Sequence, residues 1–198
     1  MDCHREAGCA LVGGETAEHP DSFPDSEGYD VQGSSTGAIA QGRPMLPDKE
    51  AMKAGDALLG LASDGCHSNG FTLIRKIIHR AGLSYHDDAP WANGESVGGS
   101  LLTPTRIYVR PILEVYNKDL VKGMAHITGG GLIDNVPRML PKHLAAEMDV
   151  TAWHFQKVFR WLKEQGNVEH EVRSPTLRIS YKLLGSPHLW LRPPFYQR

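Results

Sequence analysis

Gly129, Gly130 and Gly131 stand between the run Met124-Ala125-His126-Ile127-Thr128 and an apolar pattern at helical spacing, Leu132, Ile133, Val136 and Leu140. This order implies a strand, a glycine turn and a helix. Proteins hold phosphate at such junctions, because glycines leave no side chain in the way and the first helical turn aims unpaired N–H groups and a partial positive charge at the ligand. A tight turn that binds nothing uses the same residues. Gly13-Gly14-Glu15-Thr16-Ala17-Glu18 joins another glycine turn to a hydroxyl and two carboxylates. Hard divalent cations take oxygen ligands, often one or two carboxylates plus phosphate oxygens, so this segment suits a nucleotide with magnesium. A capped turn with solvated acids is the plain alternative.

Gly65-Cys66-His67-Ser68-Asn69-Gly70 lies between an apolar run and a helical pattern, which places His67, Ser68 and Asn69 at the sheet edge where α/β proteins bind ligands. Histidine there can donate to phosphate or move a proton, while Ser68 or Asn69 can equally cap the helix. A serine hydrolase is set aside, since Cys66-His67-Ser68 lacks the glycine-flanked elbow of that chemistry. His126, three residues before the glycines, is a second candidate for proton transfer, and a satisfied structural histidine is its ordinary alternative. Three glycine-bearing junctions, each with His, Ser, Thr or Glu, are explained together by one phosphate-rich ligand. Arg75, Arg106 and Arg138 are candidate phosphate partners or solvated helix-face charges.

The elements that must position these residues alternate. Ala7 to Val12 reads as a short buried strand, Tyr29 to Ala40 as a second, and Asp56 to Ser63, with its apolar run Ala57 to Ala62, as a strand covered on both faces. Residues 19–28 and 85–99 read as polar loops, and 41–55 as a connector. Phe71, Leu73, Ile74, Ile77 and Ile78 predict a helix ending near Ala81-Gly82. Thr103 before Pro104 predicts an N-cap and a second helix through Val115, with Pro111 as a kink or early stop. The alternation puts the chain in the α/β class, with a mixed sheet packed with helices.

Composition narrows the function. With 21 Lys+Arg against 23 Asp+Glu, the net charge of -2 lacks the positive field that nucleic-acid binding needs. No run reaches the roughly 18 apolar residues of a membrane span, and the first residues lack a secretory pattern, so a cytoplasmic protein is expected. Cys3, Cys9 and Cys66 are odd in number, which favours reduced thiols. With His4 and His67 they make a poor zinc set, because Cys66 and His67 are adjacent and aim apart.

Four blocks in order, Gly8-Cys9-Ala10-Leu11-Val12-Gly13-Gly14-Glu15-Thr16-Ala17-Glu18, His67-Ser68-Asn69-Gly70-Phe71, Leu102-Thr103-Pro104-Thr105-Arg106-Ile107-Tyr108 and Ala125-His126-Ile127-Thr128-Gly129-Gly130-Gly131-Leu132, resemble aminoimidazole ribonucleotide synthetase, the phosphoribosylformylglycinamidine cyclo-ligase family. The likeness extends through Asn135-Val136-Pro137-Arg138 and Val158-Phe159-Arg160-Trp161-Leu162 to about His170. It implies ATP-dependent closure of formylglycinamidine ribonucleotide to aminoimidazole ribonucleotide in purine synthesis, with magnesium accompanying ATP. By the same resemblance Glu15 is the metal carboxylate, and Gly13, Gly14, Thr16, Ser68, Asn69, Gly70, Thr128, Gly129, Gly130 and Gly131 face ATP or phosphate. His67 and His126 are the catalytic candidates.

The resemblance also implies an α/β fold of the α+β sandwich type, and domains. Residues 1–40 match the end of the family's N-terminal domain and a linking strand, 41–170 its C-terminal α/β domain, and 171–198 a divergent tail expected to be poorly ordered. Family members carry a further N-terminal domain that helps form the nucleotide site and a homodimer, and a Thr-Phe-Asn-Cys-Gly block where this chain reads Glu171-Val172-Arg173-Ser174-Pro175-Thr176. A non-catalytic fragment of that enzyme, or another ATP-using member of the superfamily, is the alternative.

Overall fold

The computed structural model describes residues 3–18, 28–149 and 153–168, together with the backbone of 173–174, 177–180 and 190–192. Along the chain come α1 (Cys3–Ala7), α2 (Phe71–Arg80), α3 (Val97–Leu101), α4 (Val109–Asn117), α5 (Gly131–Met139), β1 (Ala145–Asp149), α6 (Lys157–Gly166), β2 (Arg173–Ser174), β3 (Leu177–Ser180) and β4 (Trp190–Arg192). The strands form one mixed sheet in the order β2-β3-β1-β4. β1 runs parallel to β3, with Ala146 opposite Leu177, and antiparallel to β4, with Ala146 opposite Leu191. β2 is antiparallel to β3.

Two apolar cores position the loops of interest. In the first, Val136 and Met139 of α5 meet Ala146 and Met148 of β1, with Met52, Leu140 and Leu144 closing the cluster. In the second, Ile74, Ile77 and Ile78 of α2 pack with Val97 and Leu101 of α3, Val158 and Leu162 of α6, and Trp91. Trp91 also lies against Trp161, with ring centroids 4.7 Å apart. α2, α3, α5 and α6 each bury an apolar side in these cores, and packing those sides supplies most of their stability.

The helix expected around Ile74 ends where the sequence predicts. Gly82 adopts φ 71°, its N–H bonds the His79 carbonyl, and the Leu83 N–H bonds that of Ile78. A side chain in this left-handed position costs about 1 kcal/mol, so Gly82→Ala should lower unfolding stability by about 1 kcal/mol, read from the shift in a urea midpoint.

Other expectations are corrected. The buried strand expected at Ala7 to Val12 does not form: Ala7 ends α1, Gly8 to Glu18 has no strand pairing, and Val12 is 94% exposed. Described residues of Tyr29–Ala40 likewise form no strand. In the Asp56–Ser63 run, Leu59 is 89% exposed rather than covered on both faces. An apolar run favours extended backbone, but a strand exists only when a neighbour completes its ladder. Side chains meet this run instead, the Tyr108 hydroxyl donating to the Ala62 carbonyl and the Gln156 carboxamide to that of Ser63.

Residues 124–128, expected as the strand before the triple glycine, are also without strand pairing. Thr103 is no N-cap; its hydroxyl donates back to the Ser100 carbonyl as α3 ends, and α4 begins at Val109. Pro111 then sits in the first turn of α4, where its missing N–H has no helical partner to lose. The supposed loop 85–99 contains the start of α3, capped by Ser96, whose hydroxyl accepts from the Gly99 N–H. Part of the loop expected at 19–28 and much of the tail expected at 171–198 fall outside the described residues; β2, β3 and β4 come from that tail.

Candidate functional site

Two of the glycine junctions become helix starts. α2 begins after Gly70, at φ 78°, and α5 after Gly130; neither has a side chain capping its first N–H groups. Ser68 and Asn69 therefore do not act as caps for α2. The uncapped N–H groups and the helix dipole leave both starts suited to an anion.

At α5 the turn is held from below. Asn135 is buried, accepts from the Thr128 hydroxyl at 3.2 Å and donates to the Gly131 carbonyl at 2.7 Å, so one carboxamide ties both sides of the glycine turn. Gly131 takes the left-handed φ of 61°. Gly130 is not open: a Cβ there would lie 2.5 Å from that of Asp134, whose carboxylate stands over the first turn. The cradle thus has open approaches at Gly129 and Gly131 and an acid beside the middle glycine. His126 is exposed at the approach to this turn.

At α2 the loop is tied sideways. The Asp64 carboxylate pairs with both Nε and a terminal nitrogen of the Arg106 guanidinium, the Nε contact at 2.9 Å. Ser68 and Thr105 share a hydroxyl hydrogen bond at 3.1 Å. His67, at φ 53°, turns Nε2 to accept the Asp64 N–H at 3.0 Å and the Arg106 N–H at 3.4 Å. The blocks around residues 67 and 105 therefore form one unit. Arg106 is engaged by Asp64 rather than held free for phosphate, and Arg75 and Arg138 are exposed helix positions. Acid–base work at His67 Nε2 is restricted, because that nitrogen is already an acceptor.

Gly13, Gly14, Glu15 and Thr16 are exposed, and nothing lies within 4 Å of where a Cβ on either glycine would stand. Among the described residues no group of three or more His, Cys, Asp or Glu side chains could hold a metal ion, and Glu15 therefore belongs to no such group. The fit to magnesium is incomplete. A cleft of about 310 Å³ opens between the Asp64-Gly65-Cys66 loop, Trp91 and the start of α6. It is not lined by the triple glycine or by Gly13 to Thr16, and the Asn135 and His67 networks share no hydrogen bond among the described residues. Burial pushes the Cys66 thiol up beside this cleft, which keeps it protonated and unreactive.

Two carboxylates that tie loops together make stability depend on acid. Burial alone would raise the Asp56 carboxyl, but hydrogen bonds from the Lys122 ammonium and the Lys53 N–H, with their positive charge, outweigh it and hold it below its ordinary value. Asp64 is held low first by its hydrogen bond from Arg106. Since the folded state favours the ionised forms, the unfolded chain takes up protons first as pH falls. Stability is expected to be level above about pH 5 and to drop as acid passes the ordinary carboxylate value of about 3.9 toward the lowered folded values. Urea midpoints across that range check this, and Asp56→Asn should flatten the acid limb.

The sequence signals the Asn135 latch only through its spacing, seven from Thr128 and four from Gly131. It gives little sign of β1, because Ala145-Ala146-Glu147-Met148-Asp149 holds no β-branched residue.

Residues 53–173, more than half of the chain, match the family model described as AIR synthase related protein, C-terminal domain. A bifunctional purine biosynthetic protein of Schizosaccharomyces pombe is 56% identical over 164 residues, 83% of this chain and 21% of that protein. A phosphoribosylformylglycinamidine cyclo-ligase of Burkholderia vietnamiensis is 51% identical over 162 residues, 82% of this chain and 44% of that one. A trifunctional purine biosynthetic protein of Bos taurus is 46% identical over 173 residues, 87% of this chain and 17% of its own length. The chain thus spans less than half the length of these relatives. By the extent of that match, this chain belongs to the AIR synthase related family, through its C-terminal domain.

Proposed function

We propose that this chain supplies the C-terminal half of a site for ATP-dependent closure of formylglycinamidine ribonucleotide to aminoimidazole ribonucleotide. The observation that carries the reading is the pair of helices that start on glycine with no side-chain cap, α2 after Gly70 and α5 after Gly130. Each is suited to one phosphate group of two phosphorylated substrates. In the reaction ATP passes its terminal phosphoryl group to the formyl oxygen, the amidine nitrogen attacks the formyl carbon, and the new C–N bond forms as phosphate leaves. Loss of the amidine proton balances the step, with ADP as the second product.

In this reading Ser68, Asn69, Gly70, Thr128, Gly129, Gly130 and Gly131 line the phosphates, Gly13, Gly14 and Thr16 reach the nucleotide, and His126 stands where a proton could be exchanged. Backbone N–H groups stabilise charge on the transferring phosphoryl group because they are already oriented. Glu15 is the carboxylate that would meet the magnesium ATP carries, although a single carboxylate does not make a metal site. The sandwich arrangement and a cytoplasmic setting belong to the same proposal, whereas a homodimer belongs to the family's form that carries the N-terminal domain; among the described residues no helix is long and apolar enough to cross a membrane.

A second reading is favoured by the exposure of Val12 and Leu59 and the incomplete metal set: a domain that binds phosphate without turning over. Release of ADP coupled to aminoimidazole ribonucleotide formation, measured with the chain alone and with the N-terminal domain of a relative added, tests the proposal. Coupled product in the mixture supports the enzyme; none in either leaves the second reading.

A further inference from the structure

His67 occupies the middle of the tie between the Asp64–Gly70 loop and residues 103–108. Its left-handed backbone, φ 53°, turns the ring back toward its own loop. There Nε2 accepts two main-chain donors, the Asp64 N–H at 3.0 Å within the loop and the Arg106 N–H at 3.4 Å from the neighbouring segment. A ring nitrogen that accepts N–H donors holds its lone pair rather than a proton, so the neutral ring carries its hydrogen on Nδ1. The surroundings hold this arrangement in place. The Asp64 carboxylate and Arg106 guanidinium pair beside the ring, Ser68 bonds Thr105 one residue on, and the Tyr108 ring lies 6.2 Å from that of His67 at 57°.

We infer that His67 is a positioning residue: a neutral Nε2 acceptor that fastens the loop to the Arg106 main chain and so aims the Ser68-Asn69-Gly70 turn, instead of carrying a proton for the reaction. Its consequence for ligands rests on the reading that this turn meets a phosphorylated substrate, whereas the tie itself does not. While both N–H groups point at Nε2, no proton can pass through that atom without breaking them. The chemistry of the loop is then that of Gly70 and the α2 start, with His67 fixing their direction.

The discriminating variant is His67→Gln. Its carboxamide oxygen can accept the same N–H groups but cannot titrate, whereas His67→Ala can do neither. Nitrogen-15 spectra of the histidine rings and hydrogen exchange of the backbone amides are recorded on the full chain for wild type and both variants. The expected result is an Nδ1–H tautomer at His67, with Asp64 and Arg106 amides exchanging about tenfold faster in His67→Ala and near the wild-type rate in His67→Gln. Magnesium-ATP and the ribonucleotide, titrated by calorimetry, should bind His67→Gln within about threefold of wild type and His67→Ala at least about tenfold more weakly. A proton on Nε2 in the wild type, or a glutamine variant as unprotected as the alanine one, overturns the inference. Should neither ligand bind even the wild type while the tautomer and exchange pattern hold, the positioning role stands and the substrate reading falls.

Discussion

Trp91→Ala is expected to cost about 3–5 kcal/mol of unfolding free energy, a large share of the roughly 5–15 kcal/mol that holds a typical domain together. The indole is 7% exposed, lies tilted at 51° against Trp161, and donates its Nε1–H to the Ser100 hydroxyl at 2.6 Å. It therefore joins α3 to α6 inside the core that carries α2, and removing it opens a cavity that three helices must share. Cys66 packs against the same cluster, so the loss reaches the loop before α2. Trp91→Phe keeps most of the buried ring and should lose less than half as much, with the Ser100 hydroxyl left without that donor. Denaturation followed by circular dichroism checks both; a loss below about 1 kcal/mol for the alanine variant would mean the second core is not built around this ring.

Asn135→Ala is expected to lower stability by about 1–3 kcal/mol and to weaken phosphate-ligand binding by about tenfold or more. The two effects share one cause. Asn135 is the buried polar side chain of the first core, and its loss leaves the Gly131 carbonyl and the Thr128 hydroxyl without their partner. The turn between them then relaxes, although Val136 and Met139 still anchor α5. Asn135→Asp keeps an acceptor for Thr128 but cannot donate to Gly131, and it adds charge beneath an anion site. It should therefore fold better than it binds. Calorimetric titration beside urea unfolding separates the outcomes; binding unchanged in a stably folded Asn135→Ala would remove the glycine turn from the site.

Helices were legible where one apolar stripe and a glycine stop coincided. Ile74, Ile77, Ile78 and Gly82 specify α2, and Leu132, Ile133 and Val136 after the glycines specify α5, because both signals are local. Strands were not. Ala57 to Ala62 has the apolar content of a buried strand, yet pairing is decided by residues far away in the chain, and Leu59 is exposed. Conversely Glu147 and Asp149 hid β1, whose place is set by parallel pairing with β3. Pro104 suggested a helix start that α3, ending at Leu101, and Tyr108, bonded to Ala62, override.

The candidate site was legible as residue types rather than as geometry. The glycines at 70 and 129 to 131 announced two anion-suited helix starts, but nothing in the spacing indicated that Arg106 would be taken by Asp64, 42 positions away. That pairing is a tertiary contact, which no local pattern encodes, whereas the Asp134 carboxylate beside Gly130 is a contact within one helical turn.

The most direct measurement is a backbone amide titration of the full chain with magnesium-ATP and then with formylglycinamidine ribonucleotide. Saturable shifts are predicted for the amides at the α2 start, Gly70 to Thr72, and at the α5 turn, Gly129 to Gly131. Amides at both starts that stay unmoved at millimolar ligand, in a chain whose spectrum shows it folded, would contradict the account.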